Sequence, residues 1–227
     1  MTSPSPLQQQ PTSAWSMYRA IVGIATLCAV LVVAVFKGTE ARIHENQERF
    51  LQQAISEVLP EAIATAVVSI APDGQLVEAA DVESLPVYLG YDADDGVVGA
   101  VVTAQGIGYQ DNIKLLYAYS FELDAIVGLK ILDSKETPGL GDRVETEPHF
   151  VANFTRLDAS LSPDGGRLRH DIVTVDEGQK VDPWQIDGIT GATITSEAIG
   201  AILNASANTW VPVLERKYGQ PGTSEEP

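Results

Sequence analysis

Near its C-terminal end the chain reads Asp187-Gly188-Ile189-Thr190-Gly191-Ala192-Thr193-Ile194-Thr195-Ser196, two glycines and four hydroxyls directly ahead of a helical pattern. Glycine lets another group approach the backbone closely. Thr195 or Ser196 can cap the following helix, Glu197 suits its positive end, and the free first-turn amides form an anion site. A phosphate bound to, or esterified with, a hydroxyl just upstream would lie in that field. The same residues also describe an ordinary glycine-rich turn before a capped helix. Physics supplies a phosphate-friendly site here and leaves its occupant open.

A second stretch, Glu136-Thr137-Pro138-Gly139-Leu140-Gly141, contains a Pro-Gly pair. In any protein that dipeptide forms a type II turn. Other chemistries find less support. Gly106-x-Gly108 lacks the third glycine and the helix of a dinucleotide fingerprint, and Gly139-x-Gly141 opens no βαβ unit. His170-Asp171 lacks a G-x-S-x-G partner, and neighbouring residues of a strand point to opposite faces, so His170 reads as a surface or edge residue. The single cysteine, Cys28, cannot hold a cluster or an internal disulfide, and His44, His149 and His170 are spaced for no metal pair. No metal site is expected. A net charge of -17 on 227 residues repels phosphate backbones and argues against a nucleic-acid role.

The elements that must position these residues begin with residues 1–18, rich in Ser, Pro, Gln and Thr, which read as a disordered cytoplasmic stub. Residues 19–37 read as a transmembrane helix. Ala20 to Phe36 is uncharged, bounded by Arg19 and Lys37, and just reaches the lower limit of roughly 17 residues for a span. Ala34-Val35-Phe36-Lys37 is a poor cleavage site, which favours a retained anchor over a signal peptide. Lys37, Arg42 and Arg49 follow the span and Arg19 precedes it, with Glu40, Glu45 and Glu48 interleaved, so the charge rule leaves orientation undecided.

From Ala41 to Leu59, Ile43, Phe50, Ala54, Ile55, Val58 and Leu59 recur at helical spacing until Pro60. Alternating segments follow, with hairpin breaks at Pro72-Asp73-Gly74 and Asp92 to Gly96 and a tight connection at Leu123-Asp124. Ile113, Leu115, Tyr117, Tyr119 and Phe121 alternate with Lys114, Leu116, Ala118, Ser120 and Glu122, which predicts an antiparallel meander with one core face. A last helix is expected from about Ser196, with Ile199, Ile202, Ala205, Thr209 and Val213 on its apolar stripe and Pro212 bending or ending it. The fold class is α+β: an antiparallel sheet flanked by helices, preceded by one N-terminal transmembrane helix. Residues 219–227 read as a flexible tail.

Asp187-x-x-Thr190-Gly191-Ala192-Thr193 resembles the flavinylation motif D-x-x-[ST]-G-A-T of the FMN-binding domain family, which includes the G subunit of the Rnf/Rsx complex and the C subunit of the sodium-pumping NADH:quinone reductase. Glu136 to Gly141 is similar to the E-T-P-G-L-G that contacts the flavin in these proteins, and the anchor and Gly106-x-Gly108-Tyr109 are also family-like. The resemblance implies an FMN-binding domain over residues 38–218, with FMN joined by a phosphoester to Thr193 through a dedicated flavin transferase. Asp187, Thr190, Gly191 and Ala192 would form the recognised context, and Glu136, Thr137, Pro138, Gly139 and Leu140 the flavin contact.

It further implies a single-pass protein of the inner membrane with its flavin domain on the periplasmic side. Such a protein relays electrons among other membrane subunits of an electron transport complex and is not catalytic on its own. The early anchor and short chain favour the Rnf/Rsx protein over its reductase counterpart or a stand-alone extracytoplasmic carrier. A membrane-tethered binding module that is never flavinylated is the alternative of another class.

Overall fold

The computed structural model describes residues 14–70, 76–77 and 86–219. The expected turn at Pro72-Asp73-Gly74, most of the N-terminal stub and most of the tail lie outside them. Two compact units divide the chain, residues 1–50 and 51–227.

The described residues of the first unit are helical. α1 (Ala14–Val58) starts inside the stretch whose composition reads as an unordered stub, and no break separates the apolar segment from the amphipathic pattern after it. Ile21, Val22, Ile24, Leu27, Leu31 and Phe36 are all more than half exposed among the described residues, so this part of the helix is apolar all round. By length and composition it can cross a membrane.

The second unit contains the end of α1 and everything after it. Its sheet has the order β2-β1-β3-β4-β5-β6-β7, antiparallel throughout, from β1 (Ala64–Ile70), β2 (Leu76–Val77), β3 (Val87–Tyr91), β4 (Val97–Ile107), β5 (Asn112–Ser120), β6 (Ala125–Asp133) and β7 (Leu157–Asp158). The β3–β4 hairpin turns where Asp92 predicts it, with the Asp92 carboxylate accepting the amides of Asp94 and Gly96 at 2.8 Å each. The tight Leu123-Asp124 link between β5 and β6 also forms, with Asp124 at φ 49°.

One sheet face, carrying Val102, Ile113, Leu115, Tyr117 and Tyr119, packs on the long C-terminal helix. The other face is covered too, which corrects the expected one-sided meander. Tyr88, Val101, Leu116 and Ala118 pack against Ala54, Ile55, Val58 and Leu59 at the end of α1. Leu116 and Ala118 read as the outward register because a strand pattern does not reveal a cover made from distant sequence. Gly128 on β6 makes the close approach possible, since a Cβ there would stand 2.7 Å from the Val58 Cα. Burying such a face contributes about 25 cal/mol per Å² of apolar surface.

Between β6 and the last helix the chain forms a 3-10 turn (Gly141–Glu145), the short helix α2 (Pro148–Ala152) and a second 3-10 turn (Asn153–Thr155). Phe150 and Phe154 pack edge to face at 5.3 Å and seal this corner of the core. β8 (Val173–Val175) and β9 (Gln185–Asp187) then pair in parallel, a small second sheet that the expected antiparallel pattern did not include.

α3 (Thr193–Tyr218) begins three residues before Ser196 and does not end at Pro212, which lies inside it. Burial of Val211, Pro212 and Leu214 outweighs a proline penalty of about 3 kcal/mol. Its inward stripe is Ile199, Ile202, Leu203, Ala207, Val211 and Leu214, whereas Ala205 and Thr209 are exposed. Asn204 and Asn208 disguise this face. Their side-chain oxygens accept the amides of Ile172 and Leu168, so polar residues stand on the inward flank of the helix.

Candidate functional site

Three distant segments meet at the N-terminus of α3 and enclose a cleft of about 340 Å³. Tyr109 comes from the β4–β5 turn. Glu136, Thr137, Leu140 and Gly141 come from the link after β6, and Gly191, Ala192, Thr193, Ile194 and Thr195 from the start of α3. Of the residues singled out in the sequence, Glu136, Thr137, Leu140, Gly191, Ala192 and Thr193 line it. Asp187, Thr190, Pro138 and Gly139 do not. Tyr109, Ile194 and Thr195 are lining residues that the motifs left without a site role, though Tyr109 closes the family-like Gly106 to Tyr109 stretch.

The helix start differs from the expected cap. Ala192 is the N-cap, it gives no side-chain cap, and Thr193 is the first helical residue. Thr195 and Ser196 have other partners. The Thr195 hydroxyl, 3% exposed, donates to Glu136 Oε2 at 2.8 Å. The buried Ser196 hydroxyl donates to the Ala192 carbonyl at 2.9 Å. Thr193 is exposed, and its hydroxyl reaches the Ile189 carbonyl only at 3.5 Å, too long for a strong hydrogen bond. A solvent-facing hydroxyl therefore stands beside an uncapped helix end, where oriented amides favour negative charge.

The Pro138-Gly139 turn forms as its dipeptide predicts, with Gly139 at φ 76° and its N–H on Asp142 Oδ1 at 2.7 Å. The amides of Leu140 and Gly141 both donate to the Thr137 carbonyl at 3.1 Å. Leu140 is thereby held 53% exposed at the cleft, an apolar wall rather than core packing. The Thr137 hydroxyl donates to the Gln110 side chain at 3.1 Å and joins this wall to the Tyr109 wall.

Behind the cleft, the loop preceding α3 is held by side chains that no motif marks. Gly191 sits at φ 87°, which favours glycine there. Arg143 donates through Nη1 to the Thr190 carbonyl at 3.0 Å and through Nη2 to Glu147 at 2.8 Å. Glu177 accepts the Thr190 amide at 2.9 Å. His149 stands between Glu147, Glu177 and the Gly188 carbonyl at 3.4, 3.7 and 3.3 Å. The Arg143 hydrogen bond holds the Glu147 carboxyl below its ordinary range, and hydrogen bonds from Thr190 do the same to Glu177. Asp187 serves this scaffold: its Oδ1 accepts the Gly178 amide at 2.6 Å, and its backbone is clamped by the Asn153 side chain. His170 is exposed and stacks on Trp184 with 3.8 Å between centroids.

Strands β5 to β7, most of the C-terminal helix packed on the sheet and the cleft at that helix start fall within residues 108–208, which match the profile described as FMN-binding domain. At 30% identity over 191 residues, 83% of this chain and 89% of the relative, the sequence is similar to the G subunit of the ion-translocating oxidoreductase complex of Methanosarcina acetivorans, and the chain belongs to the family of these G subunits. The proteins of that name from Shewanella piezotolerans (30% identical, covering 77% of this chain and 78% of the relative) and Pasteurella multocida (28%, covering 86% and 92%) are also similar. Among solved structures, Shewanella oneidensis NqrC superposes with a TM-score of 0.61 at 16% identity, over 76% of this chain and 98% of that one. The C subunit of the Na(+)-translocating NADH-quinone reductase of Parabacteroides distasonis gives 0.58 at 20%, over 76% and 96%. At these identities the two structures share the fold.

Proposed function

We propose that this chain is a membrane-anchored electron-transfer subunit of an Rnf/Rsx-type ion-translocating electron transport complex, with FMN held in the cleft and joined through its phosphate to the Thr193 hydroxyl. The observation that carries the attachment is the contrast at the start of α3. Thr193 offers at the cleft an exposed residue whose hydroxyl has only a long 3.5 Å contact to the Ile189 carbonyl, while the Thr195 and Ser196 hydroxyls are buried and engaged at 2.8 and 2.9 Å.

When bound, FMN supplies reversible electron acceptance and donation. The chain's own residues bind and position it. The uncapped end of α3 favours the phosphate, Leu140 and Tyr109 offer apolar surface to the ring, and Thr137 offers a polar edge. Pro138 and Gly139 shape that wall, whereas Asp187, Thr190, Gly191 and Ala192 present Thr193 and form the context that a flavin transferase would read. α1 supplies the anchor, the domain faces the extracytoplasmic side, and the electron donor and acceptor are other membrane subunits.

Coexpression with a flavin transferase should give a fluorescent band on a denaturing gel. Thr193→Val should abolish it and Thr195→Val should retain it. Mapping of FMN to Thr190 or Thr195, or no attachment in the parent chain, would overturn the assignment.

A further inference from the structure

Glu136 is the one buried charged side chain among the described residues, and it lies against the cleft. Removing a carboxylate from water is costly unless cations or several donors compensate. Among the described residues no Lys, Arg or His is within ion-pair distance of it. Its compensation comes from two neutral donors, the Gln110 amide to Oε1 at 3.0 Å and the Thr195 hydroxyl to Oε2 at 2.8 Å. These belong to the β4–β5 turn and to the first turn of α3, so one carboxylate joins all three segments of the cleft.

Two glycines leave the space that the carboxylate fills. A Cβ on Gly108 would stand 2.5 Å from Oε1, and one on Gly141 would stand 2.5 Å from Oε2. A glutamine could make the same clamp, with its oxygen on the Gln110 amide and its NH2 on the Thr195 hydroxyl, without burying a charge. What the carboxylate adds at this place is the charge itself.

We propose that Glu136 sets, by its negative charge, the reduction potential of the group held in the cleft. This rests on the cleft being the FMN site. An electron passes from the donor protein to the bound flavin, and no bond to the chain forms or breaks. Charge added beside a fixed anion in a partly water-excluded cleft is disfavoured, so Glu136 lowers the potential.

The test uses the full chain, coexpressed with a flavin transferase and purified in detergent, as parent, Glu136→Gln, Glu136→Asp and Thr195→Val. Gel fluorescence after denaturation reads attachment. Its absence from the parent chain would overturn the flavin reading and this inference with it. With the band present, redox titration at neutral pH reads the potential. Glu136→Gln should move it positive, while Glu136→Asp and Thr195→Val, which keep the charge, should stay closer to the parent. An unchanged potential in Glu136→Gln would overturn the proposal. Equal shifts in all three variants would also do so, because they would make Glu136 a clamp whose charge is immaterial.

Discussion

Thr193 and Thr195 stand two residues apart in the first turn of α3 with opposite accessibility: Thr193 is exposed, and Thr195 is buried with its hydroxyl given to Glu136. A phosphoester needs a hydroxyl and space for the group it receives. Thr193→Ser should therefore retain the fluorescent band that Thr193→Val loses, and both should unfold within about 0.5 kcal/mol of the parent, as exposed substitutions do. Retention by the valine variant would show a different acceptor.

Gly139 tests the turn beside the cleft. A Cβ there would meet nothing within 4 Å, so any effect of Gly139→Val arises from holding φ 76°. That conformation costs an L-residue about 1–2 kcal/mol. The turn should relax, loosen its bond to Asp142 and alter the flavin spectrum or potential while the attachment persists. An unchanged spectrum and potential would leave this stretch a plain turn.

Gly128→Ala should lift the end of α1 from the sheet, because the added methyl would meet the backbone of Val58. Overpacking of this kind costs about 1–3 kcal/mol. Chemical denaturation of the domain should show the loss, and the accompanying exposure of Leu116 and Ala118 should raise binding of an apolar dye. A stability equal to the parent's would mean that the contact yields freely.

Acid should open the loop that presents Thr193. Glu147 and Glu177 have folded-state pKa values below their ordinary 4.5, so the closed loop binds fewer protons than the open one. Their stabilisation is complete above about pH 4.5 and is lost as the pH falls through the lowered values. Amide exchange over Ile186 to Ala192, corrected for its intrinsic rate, should quicken on acidification. In Glu177→Gln the acid dependence should be weaker, and an identical profile in the variant would exclude this carboxylate as a cause.

Protease added to intact spheroplasts should digest the domain if it lies outside the cytoplasm. Protection until lysis would place it inside. The basic residues flanking the span, Arg19 before and Lys37, Arg42 and Arg49 after, are too evenly offset by Glu40, Glu45 and Glu48 to decide this from charge.

Local patterns carried much of the fold. The apolar span, the Asp92 turn, the alternation of β5 and the Pro138-Gly139 turn each depend on a few neighbouring residues, and each could be read directly. The contributions of distant segments could not. Leu116 faces a cover made by α1, Ala205 faces water because Asn204 and Asn208 bind other loops, and β8 and β9 pair through residues with weak patterning. The cleft shows the same division. Its motif residues were visible, but the hydroxyls of Thr195 and Ser196 read as caps because their partners, Glu136 and the amide of Ile189, are set by the tertiary structure. Arg143, Glu147, His149 and Glu177 carried no signal at all, since a charged side chain looks the same in sequence whether it clamps a loop or meets solvent.

The three segments of the cleft are joined late in the life of the chain. Tyr109 and Glu136 emerge from the ribosome well before α3, which supplies the remaining wall and the sheet's apolar cover. A nascent or truncated chain lacking α3 has no helix-start wall to its cleft and no helix over the Tyr117 face of its sheet. On the proposed flavin reading, attachment at Thr193 therefore requires that the last helix has been made and has docked.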